Sequence, residues 1–82
     1  MNLPKYKCHK IVQAGKIMEI DSNDEEDPVL FLEEVNEPVV VSEGYMYKHK
    51  PQIGGYFVVY ENSYRSYSPA DAFTSGYLRV EE

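Results

Sequence analysis

The sequence predicts a single α+β domain, residues 1–82, in which a small twisted antiparallel sheet of about five strands, curled toward a barrel, carries one or two short helices. Three observations lead there. Apolar residues alternate with polar ones in several short segments, the period of half-buried strands. Gly, Pro, Asn and Asp separate those segments at close intervals, as turns require. The chain has 82 residues, 43% of them hydrophobic, which is enough to fold one domain around a small interior.

Each element follows from its own residues. Tyr6, Cys8, Val12 and Ala14 alternate with Lys7, His9 and Gln13, interrupted by Lys10, and Gly15 permits a bend before residues 16–20, so that the two pieces read as one long bent strand. Residues 21–28 hold five acids and nothing apolar, and they are expected to form a flexible acidic loop. Val29, Leu30, Phe31 and Leu32 are apolar on both faces, the signature of a central strand, with Val39, Val40 and Val41 as its antiparallel partner across a turn. Ser42 is placed to cap a helix that Pro51 and the Gly54-Gly55 pair end, and residues 43–49 are its predicted extent. Residues 56–60 give the strongest strand signal, turned back by Glu61, Asn62 and Ser63 into a hairpin with residues 64–67. Ser68 as N-cap, Pro69 at the first position and Asp71 in the first turn predict a second helix over 69–75, with Phe73 toward the sheet and Gly76 as its stop. Leu78 and Val80 then alternate with Tyr77 and Arg79 as a closing edge strand.

Charge narrows the function classes. The net charge is −6, with four lysines and no acid over residues 1–17 and ten acids and no base over 18–45. An acidic balance opposes passive adhesion to nucleic acid or to anionic membrane, and no apolar run approaches the ~20 residues that span a bilayer. A single cysteine makes no intrachain disulfide, which points to a reducing compartment.

No constellation of catalytic or metal-ligating residues stands out. Cys8 and His9 are neighbours on a strand and so face opposite ways, which prevents them from forming a nucleophile–base pair, and Cys8 reads as a core residue. His9 and His49 are the only imidazoles, too few for a zinc site without further ligands at matched spacing. Counted from Asp21, a calcium loop would need Gly at position six and Glu at twelve, where this chain has Glu26 and Leu32. Gly54-Gly55 lacks the third glycine and the following Lys-Ser of a phosphate loop. An enzyme would require Cys8, His9, His49 or Asp71 to converge in space, so a non-enzymatic protein without cofactor or metal is expected.

Two blocks of residues carry a resemblance. The first is Tyr6-Lys7-Cys8-His9-Lys10 with Val12, Ala14, Lys16 and Ile17. The second is Lys48-His49-Lys50-Pro51, Gly54-Gly55-Tyr56, Val58-Val59-Tyr60-Glu61, Tyr64, Ser66, Ser68-Pro69-Ala70, Ala72-Phe73 and Gly76-Tyr77. In these the chain resembles a group of small, mostly uncharacterised proteins encoded by tailed bacteriophages and their prophages. The family's usual Asp-Gly hairpin turn is here Asn62-Ser63, and its aromatic Trp before the Lys-His pair is here Tyr45 or Tyr47. The resemblance implies a phage origin and expression in the host bacterial cytoplasm, and it supplies no catalytic residue.

Eight tyrosines are the unusual feature, and five of them gather around the hairpin and second helix. Tyr56, Val58 and Tyr60 share one strand face and Phe57 and Val59 the other, so a Phe57 face packed inward leaves tyrosines outward. The expected function is therefore an interaction protein that binds a host or phage protein through Tyr56, Tyr60, Tyr64, Arg65 and Tyr67, or through the acidic middle, with interference in host antiviral defence as its concrete form. The alternative is a homo-oligomer that binds an anionic nucleotide or signalling molecule through Lys48, His49, Lys50 and Arg65.

Overall fold

The computed structural model describes residues 3–7, 11–23, 25–76 and 78–79. Along the chain run β1 (Lys5–Lys7), β2 (Ile11–Asp21), β3 (Val29–Leu32), β4 (Val39–Val40), α1 (Glu43–His49), β5 (Tyr56–Val59), β6 (Arg65–Ser68), α2 (Ala70–Gly76) and β7 (Leu78–Arg79). All ladders are antiparallel, and five of the strands are three residues or longer. The α+β class and the antiparallel sheet are as the sequence predicts.

Eleven-residue β2 organises the sheet. Its Ala14 N–H donates to Pro4 O beside β1, and its Lys16 O accepts from Glu33 N beside β3. Ile17, one residue on, instead bonds Gly54 and Gly55 next to β5. Because backbone groups of successive strand residues point to opposite edges, β1 and β3 share one edge of β2 in succession while β5 takes the other.

Registry along β2 shifts between Ile17, opposite Leu32, and Glu19, opposite Phe31. The extra residue, Met18, is a bulge, and it resets the alternation so that Ile17 and Ile20, three apart, both pack on the same cluster. That cluster joins Leu3, Ile17, Leu30, Leu32, Val39, Val41, Tyr45 and Phe57 on the α1 face. A smaller one, Val12, Ala14, Val58 and Phe73, lies on the α2 face. Adjacent residues Phe57 and Val58 therefore serve opposite cores, both essentially fully buried. Gly15 is required where the faces cross over, since a methyl group there would come within 2.9 Å of Leu32 Cδ1.

α1 begins and ends by side-chain and backbone chemistry legible in its residues. Ser42 is extended (φ −86°, ψ 162°), and its Oγ accepts from Tyr45 N at 2.9 Å. Lys50 takes the left-handed conformation that closes the helix, with its N–H donating to Met46 O. In the β5–β6 hairpin, Ser63 N donates to Tyr60 O, Tyr60 N donates to Tyr64 O, and Ser63 has φ 70°. This is a three-residue loop with a left-handed residue at its end, and Asn62 instead accepts from Tyr64 N through Oδ1.

Four expectations change. The chain reverses between Lys7 and Ile11, which pair with each other, so residues 6–14 are two strands of a hairpin and not the start of one. Cys8, His9 and Tyr77 lie outside the described residues. Residue 21 of the predicted acidic loop belongs to β2, opposite Val29, and Pro28 at the other end is buried. Asn23 turns the segment between them by accepting from Glu25 N and Glu26 N. α2 starts at Ala70, with Pro69 O accepting from Phe73 N, and Ser68 stays in β6 instead of capping. The sheet is not closed into a barrel, because β4 pairs only with β3 and β6 only with β5. What spans the gap is a side chain, Arg65 Nη1 donating to Val40 O at 2.8 Å.

Two substitutions test this architecture. Ser63→Gly removes the cost of a left-handed non-glycine residue and should raise stability by about 0.5 kcal/mol in denaturant unfolding. Gly15→Ala should lower it by about 1–3 kcal/mol, as overpacking against Leu32 forces the sheet apart.

Candidate functional site

Tyr45, Lys48 and His49 fall at i, i+3 and i+4 of α1 and so share one side of it. Tyr45 points into the core with its ring 5.9 Å from that of Phe57, and its hydroxyl donates to Ser66 O at 2.7 Å, which pins α1 to β6. Burial raises the Tyr45 hydroxyl well above the usual tyrosine range, with Tyr67 adding to the effect, so it stays a donor at every physiological pH. The His49 ring lies 4.6 Å from Tyr45 and 6.2 Å edge-on from Tyr64. Lys48 Nζ donates to Tyr64 OH at 2.7 Å.

Between α1 and the hairpin end these groups border an open cleft of about 400 Å³, whose walls include Ser42, Tyr45, Lys48, His49, Tyr64 and Arg65. Among the described residues no carboxylate lines it. His49 is held below its ordinary value, first by partial burial and then by the Lys48 charge beside it, and so is neutral at pH 7. Lys48 and Arg65 bond to a hydroxyl and a carbonyl, and among the described residues neither is paired with an acid.

The residues expected to form sites distribute unevenly. Lys48, His49, Tyr64 and Arg65 meet in the cleft, whereas Lys50 is the exposed residue closing α1. Tyr67 packs against the α1-side core, with its ring directly over Gly55. Tyr56 is on the other face, stacked on Phe73 with centroids 4.0 Å apart and 15° between planes. Tyr60 packs against the α2-side cluster and lies parallel to Tyr64 at 6.0 Å. Phe57 does pack inward, but α2 covers part of the reverse face, so the five residues do not form one continuous tyrosine surface.

A second surface lies on β3, which is the central strand the sequence predicts, between β2 and β4. Register places Val29, Phe31, Val40, Glu19 and Asp21 on one face of the β2–β3–β4 wing, opposite the face that holds Leu30 and Leu32. Val40 is 53% and Phe31 37% exposed. α2 reaches only as far as Val12, Ala14 and Val58, leaving this apolar face bare and flanked by acids. The available signal was helix length: two helices of seven residues, each about 10 Å long, are too short to cover both faces of such a sheet.

No family model matches the chain, and neither a curated protein nor a solved structure matches it. Among the described residues no group of three His, Cys, Asp or Glu could hold a metal ion, and no helix is long and apolar enough to cross a membrane.

Two outcomes check the cleft's electrostatics. In an NMR titration His49 should protonate below the usual value of 6.5, and Lys48→Gln should move it upward. A ring held neutral means that the unfolded chain takes up its proton first. The His49 contribution to stability is therefore complete above pH 6.5 and fades as pH falls toward the lowered folded value, a slope that His49→Gln should remove. Separately, Tyr45→Phe should cost about 1 kcal/mol in denaturant unfolding by leaving α1 untied from Ser66.

Proposed function

We propose that the chain is a phage-encoded, non-enzymatic interaction protein that works in the host bacterial cytoplasm, where it engages a host protein and interferes with a process such as antiviral defence. The observation that carries this reading is the bare face of the β2–β3–β4 wing. Val29, Phe31 and Val40 form an apolar centre, with Glu19 and Asp21 directly across the strands from Phe31 and Val29. Contiguous apolar surface rimmed by charge is how protein-binding patches present themselves. The rim is acidic, and residues 18–45 contain no lysine or arginine, so the complementary partner is a protein with an apolar contact edged by basic side chains. The phage origin rests on the residue pattern of the two chain ends.

The experiment is affinity capture from a bacterial lysate. Phe31→Ser and the double change Glu19→Lys with Asp21→Lys should each abolish capture of a specific host protein while leaving the thermal unfolding midpoint nearly unchanged. Capture that survives both variants would overturn the assignment of this face.

A further inference from the structure

The α1–hairpin cleft has chemistry opposite to that of the bare sheet face, and we propose that it is a binding site for a small phosphate-bearing molecule of mononucleotide size. In a protein of net charge −6, Lys48 and Arg65 border one cleft that no carboxylate lines among the described residues, and each donates to a neutral oxygen, Lys48 to Tyr64 OH and Arg65 to Val40 O. Both donors keep further N–H groups, since an ammonium has three and a guanidinium five. Two cations without counter-charges match a phosphate monoester, which carries between one and two negative charges at neutral pH.

Position and size complete the case. Lys48 is fixed through Tyr64, and Arg65 is fixed through Val40 with its guanidinium 5.7 Å from the Phe57 ring, so both charges are held in place before a ligand arrives. About 400 Å³ lies within the roughly 300–1,000 Å³ of sites that take small molecules, and it exceeds what a bare phosphate needs. The rest of the wall is aromatic: Tyr64 is 41% exposed and His49 stands edge-on to it, which offers a heterocycle a ring to lie against. Ser42 Oγ accepts from Tyr45 N as the α1 cap and keeps its own O–H as a donor at the cleft wall.

The test is a titration of the isotope-labelled full chain with adenosine monophosphate, with inorganic phosphate and adenosine as separate arms, followed by backbone amide shifts. Adenosine monophosphate should give saturable shifts confined to α1 and residues 63–65, phosphate a weaker set at the same positions, and adenosine none. Lys48→Gln, an exposed change, should weaken binding about tenfold or more. Arg65→Ala should do the same, and because Arg65 also bridges to β4, Arg65→Lys serves as its folded control, expected to retain part of the affinity. Absence of saturable shifts from both phosphate-bearing probes would overturn the proposal, as would binding indifferent to Lys48→Gln. Equal affinity for inorganic phosphate and adenosine monophosphate would overturn the mononucleotide assignment.

Discussion

The whole sheet depends on one strand having three partners. β2 takes β1 and then β3 on one edge and β5 on the other, so three of the six ladders run along its eleven residues and each of the other three hangs from one of those partners. A regular strand presents alternate residues to one face throughout, which sends Val12 and Ala14 to the α2 face and Ile17 to the α1 face but would return Ile20 to the α2 side. The Met18 bulge inserts a single residue, so that Ile20 joins Ile17 on the α1 face. Gly15, close under Leu32, leaves room for that side chain on the same face.

Two small cores back to back explain how a chain this short stays folded with two seven-residue helices. Neither helix could be stable alone, because short helices need an apolar face docked on something larger. α1 docks through Tyr45, which supplies a ring to the core and a hydroxyl to Ser66 O, and α2 docks through Phe73, stacked on Tyr56. The same tyrosine that secures α1 positions Lys48 and His49 beside the hairpin, so the cleft is a by-product of core packing and shares its rigidity.

Local signals in the sequence were sufficient for elements and insufficient for their assembly. The Ser42 cap, the 56–60 strand and its hairpin, the β3–β4 pairing and the inward Phe73 all rest on interactions between near neighbours, and all were legible. The reversal between Lys7 and Ile11 was hidden because the alternation of residues 6–14 is indifferent to whether a turn interrupts it. Of the site residues, Lys48 and His49 were separable from Lys50 only once the helix phase was known, and Tyr64 and Arg65 from Tyr56 and Tyr67 only once both sheet faces had been assigned. The central place of β3 was legible, whereas the exposure of its Phe31 face was not, because an apolar strand looks alike whether one or both sides are covered.

An open sheet has a hazard that a closed one lacks: its last strand can recruit a strand from another molecule and begin a polymer. Val41 N–H points inward to Pro28 O, so the preceding carbonyl, that of Val40, points outward from the rim of the sheet. That carbonyl is occupied by the Arg65 guanidinium, β4 is only two residues long, and Pro38 immediately precedes it with no N–H to offer. Short length, proline and a cation on the exposed carbonyl together blunt the rim, which lets the protein leave its sheet unclosed without inviting self-assembly through that strand.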